Sequence, residues 1–237
     1  MGAEGGPDYT TLSEIGNFRV TERSLNSYKE TFSFDPESIP GNGMVLDIGS
    51  GVNQRFAKEL ETTRPDVKVV SLDPSLGIPA GDKEFQRLGV TYQFTDTGGT
   101  RITPNEEQRR SRLENKYGLA VAGLAPELPF KDGSFDMVFD NHAAFMYFSE
   151  DEKNSHIRYV KEMLRVLKSN GVAEIYPLDI FDENADDNAE RVTGGTERIT
   201  RILTELGFGK DRYEIFHFVD IVDGGKELDR VGVKIKK

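Results

Sequence analysis

Short apolar runs alternate along this chain with segments whose apolar residues recur at helical spacing. Met44 to Ile48 (M-V-L-D-I) is an apolar run entered from the turn Pro40-Gly41-Asn42-Gly43, and it reads as a fully buried strand. Gly49-Ser50-Gly51 follows at once. From Asn53 to Thr62 the residues Phe56, Ala57 and Leu60 keep helical spacing, and Pro65 marks the far end. The β-branched run Val67 to Leu72 then predicts a second strand parallel to the first, closing a strand–helix–strand unit. Further strands are expected at Leu119 to Gly123, Phe135 to Phe139 and Val172 to Tyr176, with an amphipathic helix from Glu150 to Leu167 before the last of these. Gly195 to Leu206 predicts a helix capped by Gly207, and Tyr213 to Val222 with Leu228 to Ile235 predict a hairpin around Asp223-Gly224-Gly225.

This order predicts an α/β fold: a doubly wound, Rossmann-like, seven-stranded sheet, mostly parallel, with an antiparallel strand in the C-terminal hairpin. The expected organisation is an N-terminal lid or irregular segment over 1–42 and one domain over 43–237. The Gly-rich stretch 76–101 lacks a long periodic run, apart from a short strand at Val90 to Phe94, and reads as an insertion. Pro104 to Tyr117, with acids early and bases late, reads as a surface helix.

In such a sheet ligands bind outside the carboxyl ends of the strands, where helix N-termini and loops gather. Gly49 and Gly51 let a ligand approach the backbone, and Asp73, at the end of the second strand, is placed to take the two hydroxyls of a ribose. A simple turn is the alternative for the glycines, and a loop-bracing role is the alternative for Asp47. His142 is the base candidate by position, although a lone histidine is more often structural. For Phe145 to Phe148, core packing competes with an apolar substrate wall. A dinucleotide fingerprint needs Gly or Ala where Gln54 stands, which weakens an NAD-dependent oxidoreductase.

Four segments in order resemble the class I S-adenosylmethionine-dependent methyltransferases, in particular their small-molecule subgroup. Val45 to Gly51 is similar to that family's first motif, and Val70 to Asp73 to its ribose-binding strand end. Gly123 to Phe130 with Asp132 to Phe139 is similar to its adenine loop and fourth strand, and Glu162 to Gly171 to the helix and turn before its fifth strand. The resemblance implies S-adenosylmethionine as cofactor and methyl transfer to a small molecule. It implies that Gly49, Ser50 and Gly51 face the methionine part, Asp47 orients that loop or the ammonium, and Asp73 takes the ribose. Pro74 would border the adenine, Leu124 and Ala125 would wall it, and Asn141 with His142 would lie beneath the methionine and sulfonium. Asn53 and Leu124 depart from the family's usual glycine and its usual acid or amide. They keep open a non-catalytic module that binds the adenosyl ligand.

Composition narrows the partners. With 30 basic and 41 acidic residues the net charge is −11, which argues against broad capture of nucleic acid or an anionic membrane. The absence of Cys removes disulfides, thiolate nucleophiles and Cys-held metals, and only His142, His156 and His217 remain as imidazoles. No metal is expected. The acids Asp182, Glu183, Asp186 and Asp187 read as a solvated loop. No apolar run reaches membrane-spanning length, and MGAEGGPDYT has neither a secretory pattern nor the Ser or Thr of a myristoylation site, so a cytoplasmic location is the expectation.

Overall fold

The computed structural model describes residues 19–20, 23–51, 54–73, 93–95, 101–102, 119–121, 128–147, 153–178, 188–222 and 226–237. Its main sheet has seven strands: β1 Met44–Ile48, β2 Lys68–Leu72, β3 Leu119–Val121, β4 Phe135–Asn141, β5 Leu167–Tyr176, β6 Tyr213–Val222 and β7 Lys226–Lys236. Their order is β3-β2-β1-β4-β5-β7-β6, and only β7 runs against its neighbours. Strand order reverses between β1 and β4, which pair directly, Val45 opposite Met137 and Ile48 opposite Asp140. In open α/β sheets such a reversal is where ligands bind, outside the carboxyl ends of the strands.

Alternate side chains of each strand feed two cores, as the two-residue period of a strand requires. On one face Leu46, Ile48, Val138 and Ile175 meet α3 (Lys153–Val166) and α4 (Asn188–Glu205), through residues such as Val160, Met163, Ile199 and Leu203. On the other, Val45, Val69 and Phe139 meet α1 (Leu25–Phe32) and α2 (Arg55–Thr63). Ser24 caps α1, its hydroxyl accepting the Ser27 N–H at 3.1 Å. The buried face of α1 is Leu25, Tyr28 and Phe32, spaced three and four apart. Tyr28 stacks on Phe56 at 3.9 Å, and Phe34 meets Phe139 edge-on at 5.1 Å. Residues 24–39, within the segment anticipated as a lid, thus close one face of the sheet, each buried aromatic contributing about 1.5–3 kcal/mol.

Three boundaries differ from the sequence expectation. Leu119–Val121 is an edge strand rather than a buried one, with Leu119 half exposed at 50%, because none of the described residues pairs beyond it in the sheet. α4 begins at Asn188, ahead of the glycines that suggested its start. A Cβ on Gly195 would lie 3.0 Å from Val231 and 3.3 Å from the Leu178 backbone, so this glycine serves close helix–sheet packing inside the helix. β5 begins at Leu167, directly after α3. A separate three-stranded sheet joins Arg19–Val20, Gln93–Thr95 and Arg101–Ile102, so the short strand expected at 90–94 pairs outside the main sheet. The helix expected over 104–117 and the acids at 182–187 lie outside the described residues. Among the described residues no helix is long and apolar enough to cross a membrane.

Candidate active site

At the end of β1 the chain turns through Gly49 (φ +72°) and Gly51 (φ +68°), a left-handed conformation that favours glycine. The Gly49 N–H donates to Leu72 O at 2.7 Å, and the Gly51 N–H donates to Asp73 Oδ2 at 3.0 Å, which staples the loop to the end of β2. A Cβ on Gly49 would fall 2.2 Å from the methyl of Ala143, in the turn after β4, so this residue must lack a side chain for a second reason. Ser50 is buried within the loop. Gln54, where a dinucleotide fingerprint needs Gly or Ala, is buried at φ +50° at the N-cap of α2.

Beneath the loop two carboxyls are fully buried. Asp47 points to the α1 face, where its Oδ1 accepts the Tyr28 hydroxyl at 2.6 Å, and its Oδ2 has no hydrogen-bond donor among the described residues. Burial raises its pKa to about 7, opposed by the Tyr28 hydrogen bond and reinforced by the charges of Asp73 and Asp140. Asp140 faces the other core. Its Oδ1 accepts the Ala143 N–H at 2.9 Å, and its Oδ2 accepts the Phe145 N–H at 2.9 Å and the Tyr159 hydroxyl at 2.6 Å. Burial raises it to about 6, against the pull of these three donors. The same burial, with the neighbouring carboxylates, drives both tyrosine hydroxyls well above their ordinary range, so they remain donors.

Asn141 and His142 follow. Asn141 is buried, its Oδ1 lies 3.1 Å from His142 Nδ1, and its Nδ2 has no partner among the described residues. With the amide oxygen as acceptor, this pairing takes the imidazole protonated at Nδ1, in which Nε2 is the basic nitrogen. His142 sits at φ +56°, with its ring edge-on to Tyr176 at 4.8 Å.

The sequence-predicted residues Asp47, Gly49, Ser50, Gly51, Asp73, Asn141 and His142 thus share one strand edge, the carboxyl ends of β1, β2 and β4. Pro74, Leu124 and Ala125 lie outside the described residues. Phe145 is fully buried in the core, and Asp132 and Asp136 sit in the turn before β4 and at its start. Sequence reasoning missed Tyr28, Asp140 and Tyr159. Each phenol interrupts an apolar helical stripe, Tyr28 between Leu25 and Phe32 and Tyr159 beside Val160 and Met163, and a buried hydroxyl there calls for a buried acceptor.

With this geometry in view, comparison with known proteins is decisive for the family. The model of the family described as "Methyltransferase domain" matches residues 46–175, more than half of the chain. The chain belongs to that family, as a class I S-adenosylmethionine-dependent methyltransferase, and its cofactor is S-adenosylmethionine. Solved structures similar to it include a "possible histamine N-methyltransferase" of Thermotoga maritima. That protein is 16% identical with a TM-score of 0.47, over 90% of this chain and 89% of that one. Another is a SAM-dependent methyltransferase of Methanosarcina mazei, 18% identical with a TM-score of 0.49, over 85% of this chain and 95% of that one. No curated protein matches the chain. The family assignment sets aside the oxidoreductase alternative.

The methyltransferase's site fits a cofactor that carries positive charge. A buried carboxylate oxygen without a donor is costly alone and is satisfied by a cation.

Proposed function

We propose that this methyltransferase acts on a small molecule and that its cofactor lies over the glycine loop at the β1/β4 crevice. The observation that carries the reading is Asp47, a buried acid whose second oxygen has no donor among the described residues, beneath a loop of two left-handed glycines. In this reading Asp47 meets the ammonium of S-adenosylmethionine, and the Gly49-Ser50-Gly51 backbone borders the methionine part. Asp73 takes the ribose hydroxyls. Pro74, Leu124 and Ala125 border the adenine, and Asn141 with His142 lie under the sulfonium end.

When bound, S-adenosylmethionine supplies an electrophilic methyl group. The chain's own work is to hold the acceptor in line with it and to keep water out, an orientation contribution that reaches about 7–11 kcal/mol in well-aligned systems. His142 Nε2 is the base that takes the acceptor's proton, with Nδ1–H held by Asn141 Oδ1. A net charge of −11 favours a small molecule over a nucleic acid as the acceptor. Incubation of the protein and a metabolite pool with methyl-labelled S-adenosylmethionine tests the reading. A labelled small molecule that depends on His142 is the expected result, and ligand binding without any transfer would point to the non-catalytic module.

A further inference from the structure

Asp140 is a buried acid at the same strand edge that has no task in the proposed function. Its three donors come from two elements: the Ala143 and Phe145 N–H groups close the turn after β4, and the Tyr159 hydroxyl arrives from α3. That turn presents Asn141 and His142. It also places the Ala143 methyl where a Cβ on Gly49 would stand, so the turn and the glycine loop fit into one another. His142 is held at φ +56°, a left-handed conformation that persists only where the surroundings fix it, and its N–H donates to Tyr176 O on the side of β5. The carboxylate and this β5 carbonyl therefore hold the turn from both sides.

We propose that Asp140 is a positioning residue for methyl transfer, acting through the 141–145 turn to fix the His142 imidazole and the seat of the glycine loop. The inference rests on the methyltransferase reading for its purpose, and on geometry alone for its mechanism. Asp140 acts through backbone N–H groups rather than by touching the acceptor. An amide at this position turns one acceptor into a donor facing an N–H, so Asp140→Asn breaks the arrangement at constant shape. Tyr159→Phe removes the third donor and keeps both turn bonds.

The test is 15N correlation spectroscopy of the three imidazoles, assigned with His142→Gln, alongside calorimetry with S-adenosylhomocysteine. In Asp140→Asn the His142 nitrogens are expected to move from the Nδ1-protonated form toward an average of both tautomers, with affinity falling about ten-fold, as for loss of a charged hydrogen bond. Tyr159→Phe is expected to keep the tautomer and lose about two- to three-fold. Wild-type nitrogen shifts and affinity in Asp140→Asn overturn the proposal even if its Tm drops, because a purely structural role lowers Tm and leaves both readouts alone. Should Asp140→Asn not fold, wild-type affinity in Tyr159→Phe overturns it. A wild-type protein that binds neither cofactor nor product, in which Asp140→Asn still shifts the His142 nitrogens, removes the methyltransferase reading and leaves the role of Asp140 in the turn.

Discussion

The two edges of the sheet use the same residue type in opposite ways. At the amino edge, acids meet cations. Asp136 accepts the Met44 N–H at 2.8 Å and Lys168 Nζ at 2.7 Å, tying the starts of β1, β4 and β5 together. Arg165, at the end of α3, bridges Glu162, Asp132 and the carbonyls of Leu128 and Phe130. Arg64, at the end of α2, holds Asp66 at 2.8 Å together with the carbonyls of Pro36 and Ile39. At the carboxyl edge Asp47 and Asp140 are held by hydroxyl and N–H donors. The Arg64 hydrogen bond pulls Asp66 down to about 2, whereas burial pushes Asp47 up to about 7. Charge at the first edge is neutralised and stabilises the fold. At the second, burial holds both carboxyls toward the neutral form, and hydroxyl and N–H donors rather than salt bridges hold them.

The largest way to break the contrast is Gly49→Val. It forces a branched side chain into φ +72° and onto the Ala143 methyl, for a destabilisation of about 3 kcal/mol in chemical denaturation, with S-adenosylmethionine binding abolished. Asp73→Ala is expected to cost about 1–3 kcal/mol of cofactor affinity by calorimetry, and about 1 kcal/mol of unfolding free energy because the Gly51 N–H loses its acceptor. The mirror experiment is Asp136→Ala, which leaves the Met44 N–H without its acceptor. It should lower unfolding free energy by about 1–2 kcal/mol with cofactor affinity unchanged, and a matching loss of affinity would erase the distinction between the edges.

The smallest effect concerns pH. A carboxyl raised in the folded state stabilises the unliganded protein at acid pH and loses that contribution as pH rises through about 7, whereas depressed Asp66 contributes above its unfolded value and loses its contribution as pH falls toward about 2. Asp47→Asn, which removes the charge, should therefore raise the unliganded Tm at pH 8 by about 2–4 °C while weakening cofactor binding. A lowered Tm at that pH would show that the Asp47 charge is already compensated.

Much of this was legible in the chain. The runs at 44–48, 67–72 and 135–139 are apolar enough to specify buried parallel strands by themselves, and the glycines and acids at their ends gather at one strand edge. The role of α1 was harder to read, because a helix with polar residues between Leu25, Tyr28 and Phe32 looks like a surface segment until the aromatic face of the sheet is there to receive it. Asp140 and its donor Tyr159 are 19 positions apart, and a pairing between a strand end and a neighbouring helix leaves no local spacing to detect. The edge position of β3 likewise follows from strand order, which composition does not encode.

In the proposed site S-adenosylmethionine lies above the carboxyl ends of β1 and β4 with the Asp47 carboxylate as counter-charge. Titration calorimetry at pH 6, in two buffers of different ionisation enthalpy, tests it most directly. Burial raises Asp47 to about 7, so at this pH it must ionise to meet an ammonium, and saturable heat is expected with release of a proton that Asp47→Asn abolishes. No heat from S-adenosylmethionine or S-adenosylhomocysteine, or binding with no proton released, would contradict it.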